Sequence, residues 1–358
     1  MRILWIFALL FINTNALLHH VSLAGVKTGN EKKQLVIRHN MTFHMLDTSP
    51  FLIDYDLHNF TFEMHKGLKA KVNSFIKLIR PTNINPTILL CITGGWIMNP
   101  SIKGLFKTPR FMVSIITTLL ILTSSMVVND IFDMEIDKIN NLNRPLITGE
   151  VTRKEAILFT TASLMLCEFL SIKYLPTYLQ WAIHLSIFDI LIYTKFLKPM
   201  FLIKNISCAT LVAFSVCFSG VAASQHFDES RLELLRIASR LVFFGSLNNE
   251  ILLDICDMPG DIKNNIETIP IITGIPNTLN IVYILTNINI LWAWFSLTRL
   301  CNYWLGSIIL FTTAPLIHNI IKIKHNNYSF LLTRLAVKKS TLPLGLTLIY
   351  LCGLAKYK

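Results

Sequence analysis

Asn129-Asp130-Ile-Phe-Asp133-Met-Glu-Ile-Asp137 and, more than a hundred residues later, Asp254-Ile-Cys-Asp257-Met-Pro-Gly-Asp261 carry the same acidic spacing. Each follows directly on a long apolar run. In a helix, positions i, i+3 and i+7 fall within about 60° of one another, so each triplet is expected to form a stripe of carboxylates on one face. Crowded carboxylates repel one another unless something positive holds them. A pair of such stripes suits Mg²⁺ ions that also grip a diphosphate.

The surroundings of these stretches fix the class of protein. Of 358 residues, 53% are hydrophobic and only 15% charged, where a soluble chain carries about 25% charged residues. Mean hydropathy is +0.53. Apolar runs recur from about residue 84 onward, which predicts an all-α, polytopic membrane bundle. Nine transmembrane helices are expected, at roughly 84–99, 111–130, 156–172, 178–195, 206–223, 237–254, 278–297, 303–321 and 340–354. The net charge of +12 then belongs to loops facing anionic head groups, and no nucleic-acid partner is expected. Five of the seven cysteines, Cys91, Cys167, Cys208, Cys217 and Cys352, lie in apolar runs and no CxxC pair occurs. They read as small buried hydrophobes.

Residues 1–25 are set apart. Met1-Arg2, a short apolar stretch from Ile3 to Ile12 and small residues around Ala24-Gly25 form a signal-peptide-like leader. Residues 26–74 make a basic, polar targeting or linker segment, and 75–358 the intramembrane domain. This layout fits an organellar protein of the plastid type, reached through the secretory route, or an endomembrane one. It fits a mitochondrial presequence less well, because the start is too hydrophobic.

Topology gives an independent test. If nine spans cross, the ends of the second, fourth and sixth emerge on one side. Those ends carry the first triplet, Lys195-Phe-Leu-Lys198 and the second triplet. The same side holds more Lys and Arg, among them Lys138, Arg144, Lys204 and Lys263, than the loops opposite. That is the cytosol-equivalent face, where soluble diphosphates are met. Ionisable residues at membrane boundaries are costly and usually functional. A carboxylate-dependent transporter is the competing reading, although transporters more often place single acids near the midplane beside broken helices.

At this point the residues match a family. The first stretch, followed by Asn143-Arg144-Pro145-Leu146 and Gly149, resembles the first signature of the UbiA superfamily of intramembrane prenyltransferases. The second stretch, followed by Thr268-Ile-Pro270, resembles the second signature. Leu-Ile-Arg80-Pro-Thr-Asn83 before the first span, and Tyr193-Thr194 with Lys198 after the fourth, also fit. The resemblance covers about 75–358. It implies Mg²⁺-dependent transfer of a polyprenyl, geranylgeranyl-like group from its diphosphate to a lipophilic or aromatic acceptor within the membrane, with release of pyrophosphate.

Carried over by position, Asp130, Asp133, Asp254 and Asp257 would be catalytic. Asp137 and Asp261 would complete the two metal sets. Asn129, Arg144, Lys195, Lys198, Arg80 and Asn83 would bind substrate. In motif style the chain looks most like chlorophyll synthase and digeranylgeranylglyceryl phosphate synthase members. It departs from many relatives in having Asn249 before Glu250, Leu253 before the second triplet and Asn265 ahead of Thr268, where basic residues or a glycine are frequent. Those changes bear on how many cations the donor site has. A catalytically silent isoprenoid-lipid binder, or an intramembrane cyclase with the same metal site, stays open beside the transferase.

Overall fold

The computed structural model describes residues 67, 69–192, 200–225, 228–263, 266–326 and 328–357. The leader, most of the 26–74 segment, Lys195, Lys198 and Asn265 lie outside the described residues. Among the described residues there are helices and no strands. Nine helices reach fifteen residues or more: α1 (Ile84–Met98), α2 (Pro109–Phe132), α3 (Arg153–Tyr174), α4 (Thr177–Ile192), α5 (Ile203–Ala223), α6 (Glu229–Lys263), α7 (Ile275–Leu300), α8 (Tyr303–His325) and α9 (Phe330–Tyr357). Each falls on one of the nine apolar runs. Six of them, α2, α3, α5, α7, α8 and α9, are long and apolar enough to cross a membrane by length and composition alone. α1 and α4 are shorter, with 15 and 16 residues, and the first half of α6 is strongly charged.

The bundle is apolar on both sides of its helices. Outside, Leu158, Met165, Phe169, Trp181, Phe188, Trp304 and Phe311 are exposed, which is the pattern of a surface solvated by lipid rather than water. Inside, α6 is the axle. It packs against α1, α5, α7 and α9, and its buried Leu234, Leu235, Ile237, Ala238 and Leu241 join one core cluster with Ile97, Phe111, Val216 and Leu351.

Two local sequences end differently from their propensities. The first acidic stripe is not on one unbroken helix: α2 stops at Phe132, Asp133 has φ −86° and ψ 9°, and a short helix Met134–Asn140 follows. The stripe survives this bend because the hydrogen-bond ladder runs through it. Asp133 N donates to Asn129 O (2.9 Å) and Asp137 N to Asp133 O (2.7 Å). Conversely, α6 does not end near residue 254 but continues to Lys263, with Pro259 inside it. Proline removes one N–H and crowds the preceding turn, yet the helix carries the whole second stripe across it.

Close approach of α1 and α5 sets the geometry at one end of the bundle. A Cβ on Gly94 would stand 2.0 Å from the backbone oxygen of Val216, so only hydrogen fits. Gly94→Ala therefore forces two backbones apart. It is expected to cost at least the 1–3 kcal/mol typical of an overpacked core, read as a lower Tm in detergent.

A further helix over residues 69–78 is fastened to the loop before α3. Ser74 Oγ donates to Glu150 Oε2 (2.9 Å) and Lys77 Nζ lies 3.1 Å from the same oxygen. Lys71 Nζ donates to the Glu150 carbonyl (2.9 Å) and to Glu155 Oε2 (2.7 Å). The Ser74 hydroxyl, and after it the Lys77 ammonium, holds Glu150 below its ordinary 4.5. A carboxylate with a lowered value contributes its fastening above the unfolded value and loses it as pH falls through the lowered one. Glu150→Gln is the neutral-pH equivalent of that protonation. It is expected to speed hydrogen exchange across residues 69–78 and leave α6 unchanged.

Candidate functional site

The site is built where α2, α5 and α6 end or begin together. The short helix Met134–Asn140 packs against α6, which brings both triplets to one end of the bundle, as span counting requires. Asp130, Asp133, Asp137, Asp254 and Asp261 are buried, and Asp257 is half-buried. Such a density of buried carboxylate is strongly unfavourable without compensating cations.

The compensation is ordered. Arg144, just before the short helix Pro145–Thr148, places Nη1 3.7 Å from Asp130 Oδ2 and Nε 3.9 Å from Asp137 Oδ2. It therefore spans the first and last members of the first triplet. Its guanidinium is turned into the site. On the second triplet Lys204, in the first turn of α5, plays the same part: Nζ is 2.7 Å from Asp254 Oδ1 and 4.0 Å from Asp261 Oδ2. Asn205 Nδ2 donates to the other oxygen of Asp254 (2.8 Å).

Arg80 is a second cation on the first triplet. Its guanidinium donates to Asp130 Oδ1, while Glu250 stands one turn before Asp254 on α6. Arg80 is held in the left-handed region (φ 49°) immediately before Pro81, a conformation that costs of order 1–3 kcal/mol and clusters at functional positions.

Other expected residues sit elsewhere. Asn83 is exposed and its Nδ2 lies 3.9 Å from Met126 Sδ, one turn before Asp130, rather than against a carboxylate. Asn129 is half-buried, and its carbonyl accepts from Asp133. Lys138 pairs with Glu135 (2.7 Å) on the exposed surface, and Lys263 is exposed. Asn249 lies on α6 about 140° from Asp254 at 100° per residue. It faces α9, where its Nδ2 donates to Ser340 Oγ (3.0 Å). It lines a cavity of about 40 Å³ with Asn248, Thr286 and Asn289. A basic side chain at that position would enter this neutral cavity, so Asn249 does not alter the cation count at the aspartates.

Among the described residues no three carboxylates converge tightly enough to enclose an ion; Arg80, Arg144 and Lys204 stand between them. The donor set nonetheless suits a hard divalent cation, being all carboxylate oxygen. Asp130 Oδ2 is buried and accepts no hydrogen bond, an acceptor left for a ligand that the ion pair with Arg144 only partly satisfies.

Comparison with known proteins settles the lineage. Residues 88–331 match the profile of the UbiA prenyltransferase family. The chain belongs to the UbiA prenyltransferase family. It is thus an intramembrane prenyltransferase, and the match covers both triplets. It is 29% identical over 214 residues, 60% of this chain and 73% of the relative, to a protein named digeranylgeranylglyceryl phosphate synthase from Saccharolobus solfataricus. It is 28% identical over 237 residues, 66% and 81% of the two chains, to one of the same name from Methanospirillum hungatei. A solved structure described as that of a digeranylgeranylglyceryl phosphate synthase in membranes superposes with a TM-score of 0.63 at 22% identity, covering 80% of this chain and 99% of the other. A UbiA homologue from Archaeoglobus fulgidus, bound to GPP and Mg²⁺, superposes with a TM-score of 0.56 at 15% identity, covering 77% and 99%.

Lys204, Asn205 and Glu250 are the site residues that motif reading passed over. Lys204-Asn205 stands fifty residues before Asp254 in sequence, and nothing local marks it. The one available signal was a cation in the first turn of an apolar helix, where the helix dipole disfavours positive charge.

Proposed function

We propose that this UbiA-family enzyme transfers a geranylgeranyl-like polyprenyl group from its diphosphate to a lipophilic acceptor inside the membrane, with Mg²⁺, releasing pyrophosphate. The observation that carries it is the arrangement at one end of an apolar bundle: two carboxylate triplets, each spanned by a half-buried cation. The named relatives, which are digeranylgeranylglyceryl phosphate synthases, support a long donor and a lipid acceptor.

Asp130, Asp133 and Asp137 would hold one Mg²⁺, and Asp254, Asp257 and Asp261 another. When bound, Mg²⁺ supplies positive charge against the leaving diphosphate. Arg80 and Arg144 would donate to non-bridging oxygens as negative charge accumulates there. Lys195 and Lys198 are proposed as further donors on sequence position alone. The C–O bond at the allylic C1 breaks, its electron pair leaves with pyrophosphate, and the acceptor's nucleophilic atom closes on C1 as its proton departs. The dry bundle interior keeps water from taking the acceptor's place.

The named relatives are archaeal and bear on no organelle. An organellar home is proposed from residues 1–74 alone, and fusing them to a fluorescent protein tests it.

The function is tested with purified protein in detergent, Mg²⁺ and labelled geranylgeranyl diphosphate offered with glyceryl-lipid phosphate, chlorin and quinone-precursor acceptors. A prenylated product with equimolar pyrophosphate is expected. Bound lipid without pyrophosphate release, for every donor length and acceptor class, would reduce the protein to an isoprenoid-lipid binder.

A further inference from the structure

Between Arg240 and Lys263, α6 carries Glu250, Asp254, Asp257 and Asp261 but no lysine or arginine. Its compensating cation comes from another helix. Lys204 enters from the first turn of α5, with its side chain only 13% exposed, and meets Asp254 and Asp261 together. The placement opposes two local preferences. A cation in a first helical turn faces the positive end of the helix dipole. The turn is entered through Leu202 at φ 65°, a left-handed conformation that a bulky residue adopts only when its surroundings impose it. What holds Lys204 there is its pair of carboxylates, reinforced by Asn205 on the other oxygen of Asp254.

An ammonium between Asp254 and Asp261 occupies the space a metal ion would need. A divalent ion entering alone must push that ammonium off both carboxylates, leaving it Glu250, one turn before Asp254, as its remaining anionic neighbour on α6. A metal ion arriving with a diphosphate brings its own anionic oxygens, to which the freed ammonium can turn. We propose that Lys204 is a positioning residue that fills the second triplet as an internal counter-ion and passes to the diphosphate on loading, so that this triplet takes metal together with substrate and resists metal alone. The inference rests on the proposed diphosphate chemistry and adds an order of binding to it.

The test uses full-length protein in detergent, with Mn²⁺ as the metal probe counted by electron paramagnetic resonance and inorganic pyrophosphate as the anion. In Lys204→Met, the affinity for Mn²⁺ alone is expected to rise about tenfold, while pyrophosphate affinity in the presence of Mn²⁺ falls about tenfold. Lys204→Arg, which keeps the charge, should behave like the wild type in both. A merely structural lysine would weaken both affinities, and an idle one would move neither; either result overturns the proposal. If Lys204→Met does not fold, Asn205→Leu is read instead, since loosening the Asp254 clamp should shift Mn²⁺ binding in the same direction as Lys204→Met. An Asn205→Leu protein with wild-type affinity for Mn²⁺ alone then counts against the proposal. The two readings fail separately. Wild-type protein that turns over donor, with Mn²⁺ binding unmoved in Lys204→Met, removes only the counter-ion role. Wild-type protein that neither binds pyrophosphate nor releases it removes the diphosphate chemistry itself.

Discussion

Asp130→Asn and Asp254→Asn should each lower pyrophosphate release by roughly 10²–10³-fold, about 3–4 kcal/mol on the barrier. The substitutions are nearly isosteric, so what is removed is charge. At Asp130 that charge is wholly buried and serves two cations, Arg80 and Arg144. At Asp254 it serves Lys204 and accepts from Asn205. In the proposed reaction the allylic diphosphate develops negative charge on its leaving group, and the carboxylates would act by holding the positive charge that meets it. Their loss therefore weighs on the transition state more than on ground-state binding. Single-turnover release of labelled pyrophosphate should show the defect in the chemical step, with donor binding reduced far less. If the two triplets serve one diphosphate as proposed, they act as a unit and the double variant should fall little below either single one. Full activity in either single variant would remove the metal–diphosphate reading of that triplet. Equal and independent losses that multiply in the double variant would instead indicate two separate sites.

The spacing of six aspartates made this site legible in sequence because a helix turns a repeat of three and four into a face. The apolar runs made the bundle legible for the same kind of reason: each helix needs a length of oil to be buried in lipid or in its neighbours. Cations were less readable. Lys138 stands beside Asp137 in sequence yet turns out to Glu135, while Lys204, fifty residues from Asp254, is the one that reaches it. An ion pair between helices depends on which faces meet, and that is settled by crossings such as Gly94 against Val216, not by local spacing. Helix ends were misleading for a related reason. No proline or glycine marks the bend at Asp133, whereas Pro259-Gly260 sits inside α6 without ending it. Packing of α6 against four neighbours outweighs the loss of one backbone hydrogen bond there, and around Asp133 the pairing of Asp130 and Asp137 with Arg80 and Arg144 outweighs helical propensity.

Arg80→Met should separate the two things that arginine does. Asp130 is fully buried, and breaking a buried ion pair from one side costs about 3–5 kcal/mol because the remaining charge is left in a poor dielectric. Here Arg144 still stands 3.7 Å from the other carboxylate oxygen, so the expected loss is smaller, about 2 kcal/mol, read as a lower Tm in metal-free detergent solution. Added Mg²⁺ should close most of that gap, since a divalent ion at Asp130 replaces the missing guanidinium. Catalysis should not be restored with it. Arg80 donates to Asp130 on the first triplet, where the proposed diphosphate would also bind; kcat/KM should fall roughly 10–100-fold, about 1.4–2.8 kcal/mol, even at saturating metal. Arg80→Gly adds a control on the backbone. Glycine adopts φ 49° without the strain the arginine bears, so it should lose less stability than methionine while losing as much activity. A Tm that Mg²⁺ leaves unchanged in Arg80→Met would mean that no metal comes to Asp130. Activity recovering together with the Tm would mean that Arg80 holds the fold and leaves the diphosphate to others.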